Sequence, residues 1–233
     1  MKLNTNSNVY TIVYASVIVI VVAFLLAFVS GALSERQAEN VRLDKKKQIL
    51  SALNVDLKTC DNPAATYEQL VKADPIINAQ ASLLSENGGF EVDVKAENAK
   101  ASVGDRQLPY YLCEVDGATK YVFPLYGAGL WGPIWGYVAL NDDLSTIFGV
   151  YFSHEGETPG LGAEIATPKF QAQFVGKQIK RGGELTYISV LKAGQSDPDA
   201  DSVDAISGGT MTSRGVEAMI RNGISQYEKF LNK

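Results

Sequence analysis

The strongest feature of the hydropathy pattern lies at the amino end. No charged residue occurs from Leu3 to Ser34, and Val9 to Val29 is almost wholly apolar, with the run Val17-Ile18-Val19-Ile20-Val21-Val22-Ala23-Phe24-Leu25-Leu26 at its centre. A helix needs about 20 apolar residues to cross the hydrocarbon core of a bilayer, and this segment supplies them. Its β-branched residues would favour a strand in water. In lipid a spanning segment must satisfy its own backbone, so the pattern predicts a transmembrane helix. Tyr10, Thr11 and Tyr14 fall near one end, where an interfacial belt belongs. The competing reading is a cleaved signal peptide with Ser30 and Ala32 before the cut. The stretch exceeds an h-region of about 7–15 residues and only Lys2 precedes it as a charge, which favours a permanent anchor.

Beyond the span, Arg36 to Leu57 is charged, with apolar Val41, Leu43, Ile49, Leu50, Leu53 and Val55, a pattern suited to a helical stem. Tyr67 to Val71 predicts a short helix, while Asn87-Gly88-Gly89 and the polar stretch around Asn98 predict loops. From Lys120 the pattern turns to strands: Tyr121–Phe123, Ile134–Leu140 and Ile147–Phe152, with Asn141-Asp142-Asp143 as a turn. Lys169 to Ile179 predicts a helix and Leu185 to Leu191 another strand. Val216, Met219, Ile220, Ile224, Tyr227, Phe230 and Leu231 recur at helical spacing. The expected architecture is an anchor over residues 1–34, a stem and the start of a globular domain over 35–115, and a mixed α+β domain over 116–233. No βαβ unit with a GxGxxG turn appears, which disfavours a Rossmann nucleotide site.

Composition narrows the chemistry. The formal net charge of −5 argues against a nucleic-acid partner. The two cysteines, Cys60 and Cys113, form no CxxC pair, which excludes a Cys-ligated iron–sulfur cluster within this chain alone and most zinc sites. A disulfide and two free thiols both remain open. His154 is the single histidine, so a histidine dyad or multi-histidine metal site is excluded. Asp197-Pro198-Asp199-Ala200-Asp201 has the alternation of a calcium loop, but Ser202 stands where the turn glycine belongs and Gly208 where the terminal glutamate belongs. A solvated acidic loop fits better. Arg36, Arg42, Lys45, Lys46 and Lys47 follow the span, and a literal positive-inside count keeps the domain cytoplasmic. Glu35, Glu39 and Asp44 interleave with them, so the side stays open.

Three stretches carry candidate chemistry. Asp204-Ala205-Ile206-Ser207-Gly208-Gly209-Thr210-Met211-Thr212-Ser213 places two glycines and three hydroxyls before the last helical pattern. A phosphate there would meet unpaired N–H groups and a favourable dipole, while a plain N-cap loop would use the same residues. Ser153-His154-Glu155-Gly156-Glu157-Thr158-Pro159-Gly160-Leu161-Gly162 contains a strong Pro-Gly turn, and Gly162 keeps the loop thin. For Glu157 a loop-anchoring role is expected, and for His154 no chemical duty. In Gly127-Ala128-Gly129-Leu130-Trp131-Gly132-Pro133 the glycines around an indole leave room for a planar ring on Trp131.

Asp204-x-x-Ser207-Gly208-x-Thr210-x-Thr212-Ser213 resembles the flavinylation motif of the covalent FMN-binding domains in the C subunits of bacterial Na+-translocating NADH:quinone oxidoreductases and in the related Rnf complexes. Glu157-Thr158-Pro159-Gly160-Leu161-Gly162 is similar to the family loop that lies against the flavin, and the Gly-Leu-Trp-Gly-Pro stretch resembles the sodium-pumping branch more than the Rnf branch. The resemblance is most specific over residues 127–213 and weakest over 54–104. It implies FMN esterified to Thr210, with Asp204, Ser207, Gly208 and Gly209 completing the motif; the family usually has alanine where this chain has Gly209. It further implies a cofactor site bordered by Trp131, Glu157, Thr158, Leu161 and Gly162, and a relay of electrons in a multi-subunit complex coupling NADH oxidation and quinone reduction to sodium export. Partners would be the other subunits and a flavin transferase using Mg2+. That transferase acts outside the cytoplasm in the family, which implies a periplasmic domain on the bacterial inner membrane. The rivals are an Rnf-type ferredoxin:NAD subunit and a membrane-anchored binding module without redox function.

Overall fold

The computed structural model describes residues 7–197 and 200–232. Pro198 and Asp199 of the acidic loop, and Lys2 before the span, lie outside them. The chain divides into two compact units, residues 1–45 and residues 46–233. A single helix, α1 (Asn8–Ala52), contains both the expected span and most of the expected stem. In the first unit its most apolar window has a mean hydropathy of 3.1 and no burial, so it is long and apolar enough to cross a membrane.

In the second unit the last turns of α1 bury Ile49, Leu50 and Ala52. Next comes α2 (Pro63–Leu70), where Asn62 caps the start by accepting from the Ala65 N–H and Pro63 sits where no intrahelical donor is needed. The short β1 (Val71–Ala73), β2 (Ile76–Ile77) and β3 (Leu83–Ser85) follow, then α3 (Val94–Ala99) and β4 (Leu108–Pro109). The stretch around Asn98 is therefore helix and not loop, because Asp93 caps α3 through the N–H groups of Lys95 and Ala96. A meander of β5 (Tyr111–Val115), β6 (Ala118–Ala128), β7 (Pro133–Asn141) and β8 (Ile147–His154) forms an antiparallel sheet, with β1 added beyond β5. A smaller sheet pairs β2 with β3 and β4.

Both faces of the large sheet are covered, which is why β6 to β8 read as apolar runs and not as alternation. On one face Phe123, Leu125, Ile134, Val138 and Phe152 pack with Val216, Met219, Ile220 and Ile224 of α5 (Thr210–Ser225). On the other, Val122, Tyr111, Cys113, Tyr137 and Ala139 pack with Ile49, Leu50 and Leu53. Both cysteines are free thiols, and burial pushes the Cys113 thiol up to about 12.

The helix expected over residues 169–179 stops early. It is α4 (Pro168–Gln171) plus a turn of 3-10 helix, Ala172–Phe174. Tertiary bonds then claim the backbone: the Gly176 N–H donates to Ile147 O at 2.8 Å and the Ile179 N–H to Ser145 O at 2.9 Å. The single strand expected over 185–191 is divided. β9 (Lys180–Arg181) pairs with β10 (Glu184–Leu185), whereas β11 (Ser189–Leu191) runs parallel to β12 (Ser202–Asp204). The last helical pattern is interrupted after α5 and resumes as α6 (Glu228–Leu231). At the break the buried Tyr227 hydroxyl donates to Pro109 O at 2.7 Å.

Candidate functional site

Three loops converge at one end of the sheet: the β6–β7 connection, the segment after β8, and the turn entering α5. The β6–β7 connection is closed by the Gly129 N–H donating to Gly132 O at 2.8 Å. After β8, Gly160 takes the left-handed conformation (φ 76°) at the Pro-Gly turn, and the Leu161 N–H returns to Thr158 O at 3.1 Å. Gly208 is also left-handed (φ 76°), and a side chain there would run into Leu161. At Gly209 an added Cβ would stand 2.9 Å from Ile206 Cγ2 and 3.1 Å from the Leu161 carbonyl carbon, so glycine relieves a tight contact.

One carboxylate joins all three loops. Glu157 is 5% exposed, with Oε1 accepting from the Trp131 N–H at 2.9 Å and Oε2 from the Thr212 hydroxyl at 2.6 Å. Gly129 and Gly162 lie flat against it; a Cβ on either would collide with its oxygens. His154 is structural: its Nδ1 accepts from the Glu157 N–H at 3.2 Å.

The hydroxyls entering α5 separate by burial. Thr210 is exposed, whereas Thr212 is 1% and Ser213 0% exposed. Neither Thr212 nor Ser213 caps the helix. The N-cap is Gly209, and no side chain bonds the first-turn N–H groups. Ser213 Oγ instead donates back to Gly209 O at 2.9 Å and accepts from the Ile206 N–H at 3.0 Å, tightening the turn.

A cavity of about 130 Å³ opens here, and Trp131, Glu157, Thr158, Leu161, Gly162, Gly208, Gly209 and Thr210 all line it. Leu130 and Met211 join them. Sequence reasoning did not single these two out, although each is a large apolar residue in a glycine- or hydroxyl-rich stretch. With exposures of 54% for Leu130, 69% for Trp131, 42% for Leu161 and 61% for Met211, the rim is an apolar surface facing solvent.

Asp204 and Ser207 are not at this cavity. They line a neighbouring one of about 370 Å³, beside Lys169 and Phe170. Asp204 Oδ1 accepts from the N–H groups of Ser196 (2.8 Å) and Gln195 (3.1 Å), and these backbone bonds, Ser196 first, hold its carboxyl below the usual range. Its backbone is fixed by Gln173, whose Oε1 accepts from the Asp204 N–H at 2.8 Å. In the acidic loop Asp201 is structural: it accepts from the Gln178 N–H at 2.8 Å and pairs with Arg181 at 2.6 Å. Among the described residues no three His, Cys, Asp or Glu side chains are grouped to hold a metal.

Residues 129–225 match the family model of the FMN-binding domain, which spans all three loops. The chain is 29% identical to the C subunit of the Na(+)-translocating NADH-quinone reductase of Haemophilus ducreyi, over 97% of this chain and 95% of that protein. It is 30% identical to the corresponding Pseudomonas aeruginosa protein, over 93% of this chain and 91% of that one. The crystal structure of the Parabacteroides distasonis C subunit is 42% identical and superposes with a TM-score of 0.79, covering 86% of this chain and 98% of that one. The structure of Shewanella oneidensis NqrC is 28% identical with a TM-score of 0.70, covering 82% and 96%. With identity sustained over nearly the full length and the fold shared, this chain belongs to the family of C subunits of Na(+)-translocating NADH-quinone reductases.

Proposed function

We propose that the chain is the membrane-anchored flavoprotein subunit of a sodium-translocating NADH:quinone oxidoreductase, relaying electrons through FMN esterified to Thr210. The observation that carries the acceptor assignment is burial. Of the three hydroxyl residues entering α5, Thr210 lines the cavity and is exposed, while Thr212 and Ser213 are buried and committed to hydrogen bonds. Membership of the family supports the flavin and the complex; the apolar helix supports the anchor.

The residues present fit FMN. The uncapped start of α5 leaves N–H groups and a helix dipole for a phosphate. The cavity, about 130 Å³, is well below the roughly 300–1,000 Å³ of pockets that enclose a whole ligand of this size. Part of the cofactor would therefore lie outside it, and exposed Trp131, Leu130, Leu161 and Met211 would offer it apolar surface. FMN supplies the electron chemistry that no side chain here can. Thr210 holds the phosphate, Gly208 and Gly209 keep the approach to it open, and Thr158 is in place to hydrogen-bond. Trp131 and Leu161 would shield a ring face from water. Asp204 and Ser207 border the neighbouring cavity, where the Asp204 carboxylate ties residues 195 and 196 to the end of β12.

The remaining parts of the proposal rest on the family: contacts with the other subunits of the complex, loading by a flavin transferase with Mg2+, and a periplasmic domain on the inner membrane. Alkaline phosphatase fused after Lys233 is expected to be active, and activity from a cytoplasmic reporter alone reverses the orientation. The decisive test is Thr210→Val, nearly isosteric without the hydroxyl, coexpressed with the transferase. Intact mass should lack FMN, whereas Thr212→Val should still carry it. FMN mass on Thr210→Val sinks the acceptor assignment.

A further inference from the structure

The Glu157 carboxylate makes no ion pair among the described residues, and it is nine-tenths or more buried between loops that come from three separate parts of the chain. Its two oxygens have different partners. One receives the N–H of Trp131, the most exposed apolar residue at the rim; the other receives the hydroxyl of Thr212, two residues past Thr210. Gly129 and Gly162 admit it so closely that a Cβ on either side has no room. A generic loop anchor would need one such bond. Two charge-assisted bonds to the residues flanking the acceptor and the indole do more: they fix the separation between the start of α5 and the Trp131 loop.

We infer that Glu157 and Thr212 together form a clamp that positions Thr210 for modification and Trp131 for contact with the cofactor. Glu157 is a positioning residue; it acts through Thr212 and through the Trp131 backbone. The inference rests on the Thr210 reading for its acceptor half, while its loop half stands on the protein without cofactor. Glu157→Gln keeps the shape but removes the charge: with its Oε1 on the Trp131 N–H, its amide N–H2 donates to the Thr212 hydroxyl, so both contacts become neutral ones. Thr212→Val removes the donor, and Thr212→Ser keeps it.

The experiment uses the full-length chain in detergent and reads two quantities. The first is the rate at which purified transferase with Mg2+ adds the FMN mass from FAD, the Thr210 oxygen bonding to the FMN phosphorus and losing its proton as the pyrophosphate breaks and AMP leaves. The second is acrylamide quenching of Trp131 in the unloaded protein, in a Trp135→Phe background so that a single indole reports. Glu157→Gln and Thr212→Val should each load about tenfold more slowly, the scale of a lost charge-assisted hydrogen bond, with Thr212→Ser restored to within about twofold. In the unloaded protein the two disrupted variants should show a changed Trp131 quenching constant, and Thr212→Ser the parental one. Lower melting temperatures with unchanged loading and quenching would reduce Glu157 to a structural residue and overturn the clamp. A parental chain that gains no FMN mass would overturn the Thr210 reading and the acceptor half with it, leaving the quenching comparison to decide the loop half.

Discussion

On the face of the large sheet that meets the end of α1, reactive residue types are packed away. Tyr111 and Cys113 are within 1% exposure; burial pushes the phenols of Tyr111, Tyr137 and Tyr67 upward and the Cys113 thiol to about 12. On the opposite face the packing is as dense, with Phe123, Phe152 and Ile134 at 0% exposure, but the strands and α5 run out together into loops that leave Thr210 and Trp131 in solvent. A thiol and three phenols are silent on one side, and an ordinary threonine is the candidate acceptor on the other. Environment, more than residue type, decides which groups are available for chemistry.

The largest effects should come from breaking either face. Phe123→Ala should cost about 3–5 kcal/mol and Leu50→Ala about 2–5 kcal/mol, as cavities open in well-packed cores. Calorimetry on the detergent-solubilised chain should show each lowering one shared transition of the second unit; a shift from Phe123→Ala alone would mean the α1 face is not part of that cooperative unit. A smaller effect should carry opposite signs on the two faces. The buried Tyr111 hydroxyl has no hydrogen-bond partner among the described residues, whereas the buried Tyr227 hydroxyl donates to Pro109 O at 2.7 Å. Tyr111→Phe should therefore stabilise by about 1 kcal/mol and Tyr227→Phe destabilise by about as much. The same sign for both in urea unfolding would end the contrast.

The smallest effect concerns the turn into α5. The Asp204 carboxyl is held below its ordinary value of about 3.9 by backbone N–H bonds, so its contribution is present above that pH and is lost as pH falls through the lower folded value. Asp204→Asn should flatten the acid limb of stability below about pH 4; an unchanged limb would show that the turn does not depend on the charge.

Much of the fold was legible because β6 to β8 are buried on both sides, so their apolar runs stand out against the turn at 141–143. Residues 71–109 were not, since strands of two or three residues such as β2 and β4 carry no periodicity. The overlong helix at 169–179 failed for another reason: local propensity was overruled by bonds to Ser145 and Ile147. At the site, the motifs marked the loops that converge. They could not reveal that Glu157 reaches 26 residues back to Trp131 and 55 residues ahead to Thr212, nor that Thr212 is thereby withdrawn from capping. Asp204 and Ser207 stood in the motif beside Thr210 yet face a different cavity, because the chain reverses at left-handed Gly208.

The shallow cavity at Thr210 has a further consequence. A pocket that must retain a dissociable ligand needs enough buried surface to offset the entropy of capture. On the Thr210 reading, a covalent tether holds the ligand beside its site at an effective concentration set by linker length, in the millimolar range for short flexible links. Retention then makes no demand on enclosure, and the rim at Trp131 and Met211 can stay open. Such a carrier can meet a donor and then an acceptor at one exposed edge without releasing its cargo between them.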